Sequence, residues 1–417
     1  MKILLIHQYF LEKDDGGGSR FNEMTRVWAD AGHEVTVLAG MVHYASGVKR
    51  DRYKGKFIVR DDYSPGVTVW RCHVSESYNV NFLGRLWAYF SFVFSSIWAG
   101  LFRIPRKHDV ILVTSPPLFV GITAWVLSSV RRIPFVFEVR DLWPESAIDT
   151  GVLQNTFIIR LAYWFEAFIY KRATLINVLT PAFREKLIRQ KQVPEEKVVF
   201  VPNAADFSIS DTILNGSFDR TAFRKAHGLD GHTVITYVGA HGVANHLIQV
   251  IETAELLRDT DVLFLLIGGG MQKEMLRAEV ASRGLPNVKF VDSVPKTEVF
   301  KYILASEFGT SVLKKVDTFK TIYSNKTFDY MACQRPILMV IDGVSRQLVE
   351  AAECGVYVEP EAPADFAAKV RMLLALSDEA RENLGRSGYR YAKRHFDRDT
   401  LAITYLNYLK TVVANEY

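Results

Sequence analysis

Short apolar runs alternate with segments of helical period along almost the whole chain, and the alternation pauses once. That pattern builds parallel sheets covered by helices, because parallel neighbours need a crossover long enough to hold a helix. In the first half the expected strands are residues 2–7, 34–38, 67–72, 110–114, 135–139, 175–178 and 198–201, with helical segments such as 19–31 and 158–172 between them. The rhythm stops at Pro202-Asn203-Ala204-Ala205, gives way to a polar stretch over residues 206–219, and restarts at 234–238. It then runs through 263–267, 288–291, 308–312, 337–340 and 356–358. Two doubly wound α/β domains are expected, joined near residues 203–230. Open parallel sheets bind ligands at the carboxyl ends of their strands, where strand order switches, and two facing sheets would enclose one interdomain cleft.

At 417 residues the chain is long enough for two such domains to bury their own cores, and 49% apolar with 23% charged residues describes folded protein. Its three cysteines, Cys72, Cys333 and Cys354, include no CxxC pair. That speaks against a disulfide framework or a structural zinc site and suits a reducing compartment. The first strand begins at Lys2 with no secretory leader before it, so a cytoplasmic chain is expected. Charge is unevenly divided: residues 1–202 hold 26 Lys and Arg against 19 Asp and Glu, and the remainder 25 against 27. The excess concentrates where Arg85, Arg103, Arg106, Lys107, Arg131 and Arg132 face only Asp109. A basic first half implies an anionic partner there: nucleic acid, phospholipid or a phosphorylated substrate.

Residues 324–336, Ser-Asn-Lys-Thr-Phe-Asp-Tyr-Met-Ala-Cys-Gln-Arg-Pro, follow an expected strand and read as the first turns of a helix. Backbone N–H groups near Asn325, the positive end of the helix dipole and the Lys326 ammonium then converge on one volume suited to phosphate. Asp329, one turn further in, is an acceptor for the two hydroxyls of a ribose. Diphosphate and ribose together mean a nucleotide; the same residues also suit an ordinary helix start. Gly-rich turns follow strands in both halves, Gly16-Gly17-Gly18 and Gly268-Gly269-Gly270, and permit close approach of backbone to a phosphate or sugar. Neither matches GxGxxG, which disfavours a nicotinamide dehydrogenase.

Arg140, Asp141 and Glu145 lie just beyond the strand 135–139, at its ligand-binding end. They suit a polar catalytic loop, or ion pairs Arg140–Glu145 or Glu138–Arg140 that only shape it. Residues 86–102 carry no charge and are bounded by Arg85 and Arg103, slightly short for a membrane span. As a helix, this run puts Ala88, Ser91, Ser95 and Ala99 on one face. Trp87, Phe90, Phe94 and Trp98 make an adjacent aromatic stripe. With Arg103, Arg106 and Lys107 beside it, the stripe fits a helix lying in an anionic membrane interface; a buried helix of the first domain is the other reading.

Taken together these segments resemble the GT-B glycosyltransferases of family 4, most closely the WbuB-like branch associated with bacterial surface polysaccharides. The resemblance rests on His7-Gln-Tyr-Phe10, Gly16-Gly-Gly-Ser-Arg20, Gly32-His-Glu-Val-Thr-Val37, Thr114-Ser-Pro-Pro-Leu118 and Phe137-Glu-Val-Arg-Asp-Leu-Trp-Pro-Glu-Ser146. It continues through Val201-Pro-Asn-Ala204, Tyr237-Val-Gly239, Asn325-Lys326, Asp329-Tyr-Met-Ala332 and Arg335-Pro336. It implies an acceptor domain over residues 1–203, a donor domain over 204–394, and a C-terminal helix over about 395–417 returning to the first. It also implies a retaining transferase that needs no metal, in keeping with the absence of a DxD motif in a suitable loop. Its substrates would be a nucleotide sugar, UDP-linked to a deoxy- or aminosugar, and a polyprenyl-diphosphate-linked glycan. It would work at the cytoplasmic membrane face without nucleic acid. Two departures stand out. Relatives carry two glutamates separated by seven residues where this chain has Thr321 and Asp329. They also place Arg and Lys after the first strand of the second domain, where Gly239-Ala-His-Gly-Val-Ala-Asn245 has neither, so Lys326 and the helix start must supply most of the compensation, with His241 either a further hydrogen-bond donor or a neutral loop histidine. A sugar-nucleotide 2-epimerase and a non-catalytic scaffold are the alternatives on the same fold.

Overall fold

The computed structural model describes residues 1–13, 20–42, 47–79, 82–149 and 153–415. Gly17 and Gly18 lie outside the described residues. The chain divides into two compact units, Met1–Pro202 with Asp399–Tyr417, and Asn203–Arg398.

The first unit is built on eight strands: β1 (Lys2–Ile6), β2 (Glu34–Gly40), β3 (Ile58–Ser64), β4 (Val67–Cys72), β5 (Val110–Thr114), β6 (Phe135–Val139), β7 (Leu175–Val178) and β8 (Val198–Phe200). They lie in the order β3-β4-β2-β1-β5-β6-β7-β8. All neighbours pair parallel except β3 with β4. Strands β5 and β6 are buried along their whole length, the signature of a sheet covered on both faces. The antiparallel edge strand corrects the all-parallel expectation. Its Arg60, Asp61 and Asp62 make it read as polar loop, yet the Pro65-Gly66 turn folds it back on β4. Charges on an exposed edge also discourage pairing with another chain.

Helices α1 (Arg20–Asp30), α2 (Phe82–Phe102), α3 (Val120–Arg131), α4 (Glu145–Asp149) and α5 (Thr156–Arg172) belong to this unit. The second unit has six strands, β9 (Thr233–Val238), β10 (Val262–Ile267), β11 (Val288–Val291), β12 (Phe308–Val312), β13 (Ile337–Val340) and β14 (Gly355–Tyr357). Their order is β11-β10-β9-β12-β13-β14, all parallel. Two of its helices matter below, α6 (Lys273–Ser282) and α7 (Asn325–Ala332).

The C-terminal helix α8 (Arg398–Ala414) packs on α1: Trp28 Nε1 donates to the Ala402 carbonyl at 2.7 Å, and the Trp28 and Tyr405 rings meet edge to face at 6.0 Å. Strand order reverses at β1/β5 in the first sheet and at β9/β12 in the second. Those are the places where such sheets hold ligands.

Candidate active site

In the second unit, two loops leave the carboxyl ends of β9 and β10 side by side. Gly239 N–H donates to the Ile267 carbonyl at 2.9 Å, and His241 N–H to the Gly269 carbonyl at 2.8 Å. The loops touch through bare backbone. A Cβ on Gly268 would stand 2.0 Å from the Gly239 oxygen, and one on Gly270 would stand 2.6 Å from that of His241. Gly269, the expected contact, is the roomier of the three, with Ser293 Oγ at 3.4 Å. The glycine run thus serves loop-to-loop packing first. Lys273, opening α6, braces it by donating to the Gly268 carbonyl at 2.6 Å and to Asp292 at 2.6 Å.

Helix α7 begins at Asn325, and no side chain caps its start. Tyr330 fixes the helix against the sheet: its ring lies over Gly309, and its hydroxyl accepts from Val238 N–H and donates to the Thr310 carbonyl, both at 3.1 Å. The first turn is thereby aimed at the β9/β12 switch. The Lys326 ammonium sits over the Tyr237 ring, and its Cε would be 3.2 Å from a Cβ on Gly239. Burial lowers the Lys326 ammonium to about 8, against the opposing pull of Asp329. Asn325 is exposed and accepts a hydrogen bond from Asn203 at 2.6 Å. Asp329 is half-buried. Burial raises its carboxyl to about 6, with Lys296 pulling it down, Asp206 pushing it up, and Lys326 pulling it down least.

His241 is placed differently from the expectation. Its side chain is wholly buried between Tyr237 and Phe290, so its ring is not presented on the surface. Burial, then the charges of Lys273 and Arg277, lower it to about 4, so it is neutral. Thr321 ends a short helical turn and donates to the Thr318 carbonyl at 2.6 Å.

In the first unit, Arg140 and Asp141 follow β6 directly and both are half-buried. Burial raises the Asp141 carboxyl although Ser146 Oγ donates to it at 2.8 Å. His7, immediately beyond β1, belongs with them and was not singled out as a site residue from the sequence. Burial and then the charges of Arg140 and Arg71 hold it well below its ordinary value. The available signal was its position, the first residue past the strand at the switch. Glu145 joins a different cluster. Its carboxylate meets Lys191 at 2.8 Å and Lys186 at 3.7 Å, beside a cavity of about 600 Å³ that Tyr163 and Glu166 also line. Burial pushes Glu166 up to about 7 in spite of Lys191.

Glu138 also takes another partner. It is fully buried and pairs with Arg20 at 3.3 Å. Arg20 donates to the Val201 carbonyl at 2.7 Å and to that of Pro202, and Asn177 links Glu138 to Val201 at 2.9 and 2.8 Å. Of the acids in the pairings offered for the charged loop, Glu138 meets Arg20 and Glu145 meets Lys191.

Helix α2 has two unlike faces. Ala88, Ser91, Ser95 and Ala99 are buried, with Ser95 Oγ bonded to the His73 carbonyl at 2.7 Å. Trp87, Phe90 and Phe94 are exposed; Trp98 is half-covered by Phe57 and Arg103. Arg103, Arg106 and Lys107 are exposed at its end. Among the described residues no helix is long and apolar enough to cross a membrane. Among them too, no three His, Cys, Asp or Glu side chains stand together so as to hold a metal ion.

Residues 15–204 match a family profile described as a glycosyl transferase 4-like domain, and residues 232–376 one described as glycosyl transferases group 1. Along 98% of this chain and 99% of the other, the sequence is 25% identical to WcaI of Escherichia coli K12, named as a colanic acid biosynthesis glycosyl transferase. The fold is shared with Anabaena Alr3699/HepE solved with UDP, at TM-score 0.71 and 16% identity over 99% of this chain and 100% of that one. It is shared equally with the sucrose-phosphate synthase of Thermosynechococcus elongatus, at TM-score 0.74 and 14% identity over 99% of each.

Proposed function

We propose, from the premise that the chain belongs to the family 4 GT-B glycosyltransferases, that it moves a UDP-linked deoxy- or aminosugar onto a lipid-linked saccharide. The reaction retains anomeric configuration, needs no metal, and serves assembly of a bacterial surface polysaccharide at the cytoplasmic membrane face. One observation carries the donor half: at the switch of the second sheet, Lys326, the uncapped start of α7 and the bare backbone of Gly239 converge. That is a cradle for a diphosphate, in which ammonium and N–H groups stabilise the negative charge that grows as the glycosyl bond breaks. Asp329, when ionised, accepts the ribose hydroxyls.

The breaking bond gives the sugar oxocarbenium character, and the departing phosphate takes the acceptor hydroxyl's proton on the same face. The protein's share is then position and electrostatics. Arg140 and Asp141 are assigned to the acceptor and reacting sugar. Support for the nucleotide comes from the UDP bound by the Anabaena protein, and support for the pathway from the name of the E. coli relative.

Purified protein incubated with a panel of nucleotide sugars and polyprenyl-diphosphate-linked acceptors tests the reading. Transfer with retained configuration is expected. An epimerised donor formed without acceptor would identify an epimerase, and absence of both turnover and nucleotide binding a scaffold.

A further inference from the structure

Helix α5 is apolar on the side it shows to solvent. Ala162, Glu166, Ile169 and Tyr170 face inward and are buried. Phe157, Leu161 and Trp164, spaced to share the opposite face, are 74%, 51% and 62% exposed. A helix apolar all round belongs in a core or in a membrane, and large exposed apolar patches mark interaction sites. Helix α2 shows the same habit, with Trp87 63% and Phe94 67% exposed.

The two helices are joined by rings. Phe119, just before α3, lies 4.9 Å from Phe90 of α2 and 5.8 Å from Phe165 of α5, centre to centre. It also meets Trp143 edge to face at 5.6 Å, two residues beyond Asp141.

Charge selects the partner. Arg160, Lys171 and Arg172 of α5 are exposed, as are Arg103, Arg106 and Lys107 after α2. The one acid on either helix, Glu166, is buried against Lys191. Aromatics flanked by these exposed cations complement an anionic bilayer, where basic groups meet lipid phosphates and aromatic rings settle among headgroups. A second copy would oppose like charges across the same face.

We propose that α5 and α2 together form a bilayer-docking face of the first unit, seated on anionic lipid. The Phe119–Trp143 contact then holds the Asp141 loop where a lipid-attached acceptor leaves the membrane. This rests on the reading of the acceptor as lipid-linked and adds to it the surface that meets the lipid.

Flotation of the full-length protein with phosphatidylglycerol/phosphatidylcholine vesicles, and with pure phosphatidylcholine vesicles, tests it. Wild type is expected to bind the anionic vesicles and to be released only in part by high salt, because apolar insertion is insensitive to screening. Phe157→Ser/Leu161→Ser/Trp164→Ser is expected to lower that binding by roughly tenfold or more, since each apolar side chain withdrawn forfeits its transfer energy. Thermal melting of the variant controls for folding. Trp164→Phe, which keeps packing, supplies a second measurement: quenching of tryptophan emission by brominated lipid should be weaker in this variant than in wild type.

Full vesicle binding by the α5 triple variant, alongside loss of binding in Trp87→Ser/Phe94→Ser, would overturn the role of α5 and leave the membrane reading standing. Wild type that ignores anionic vesicles at low salt would overturn both. Wild type that self-associates through α5 in sedimentation, and loses that association in the triple variant without a change in vesicle binding, would make the face a contact between copies and sink the proposal.

Discussion

The ammonium of Lys326 lies 4.9 Å from the centre of the Tyr237 ring, in space left open by the missing side chain of Gly239. The ring face attracts the cation and holds it at the start of α7 before any phosphate arrives. Such a pre-positioned donor loses little entropy on binding.

Lys326→Ala is expected to weaken UDP binding by about 1.5–3 kcal/mol, the worth of a hydrogen bond to a charged group. Gly239→Ala should weaken it as well, because its φ of 141° is strained for alanine and its Cβ crowds the lysine. Titration calorimetry with UDP measures both. Undiminished affinity in Lys326→Ala would remove the lysine from the diphosphate.

Two titrations bracket donor binding. Asp329 must be ionised to accept the ribose hydroxyls, and its carboxyl is raised to about 6, so affinity should fall as pH drops through that value. Lys326 must be protonated, and its ammonium is lowered to about 8, so affinity should also fall as pH rises past it. A bell between those limits is expected for kcat/KM, which reports the free enzyme. Asp329→Asn should flatten the acid limb. It should also weaken UDP more than its 2′,3′-dideoxy analogue; equal losses would take Asp329 off the ribose.

On the first unit, Arg140→Ala and Asp141→Ala should each lower turnover while UDP affinity stays within about threefold, as interactions made only in the transition state affect kcat and kcat/KM alike. His7→Ala should behave in the same way if the histidine shares their site. Reduced UDP affinity in a folded variant would instead assign these residues to the nucleotide.

The Arg20–Glu138 pair is a matter of stability. Removing one member of a buried pair leaves the other charge without compensation, a cost of about 3–5 kcal/mol. Denaturant unfolding of Arg20→Ala and Glu138→Gln should each show a loss of that order in the first unit's transition. Midpoints equal to wild type would show the pair to be idle.

Most strands were legible because parallel strands buried on both faces are continuous apolar runs, as β5 and β6 show. Strand β3 was hidden by its charged, half-exposed residues. Around Lys326 the local chemistry could be read from one short segment, since a helix start is a local object. What lay beyond reach was everything made by distant partners. Within the 268–270 run it is Gly268 and Gly270 that are pressed, because two loop backbones meet there. Glu145 turns to Lys191, and Glu138 to Arg20. Helix α5 was expected near residues 158–172, but with apolar residues all round it the sequence does not say which face is buried, and Phe157, Leu161 and Trp164 face outward.

Because the loops after β9 and β10 meet backbone against backbone, with His241 and Lys273 as their buried anchors, the exposed side chains carry little of the architecture. Val243 and Met271 project from those loops into solvent. Exchanging them leaves the Gly239–Gly268 seam untouched, so such rim positions can vary without disturbing the pair of loops. The seam divides what evolution and engineers can vary from what they must keep.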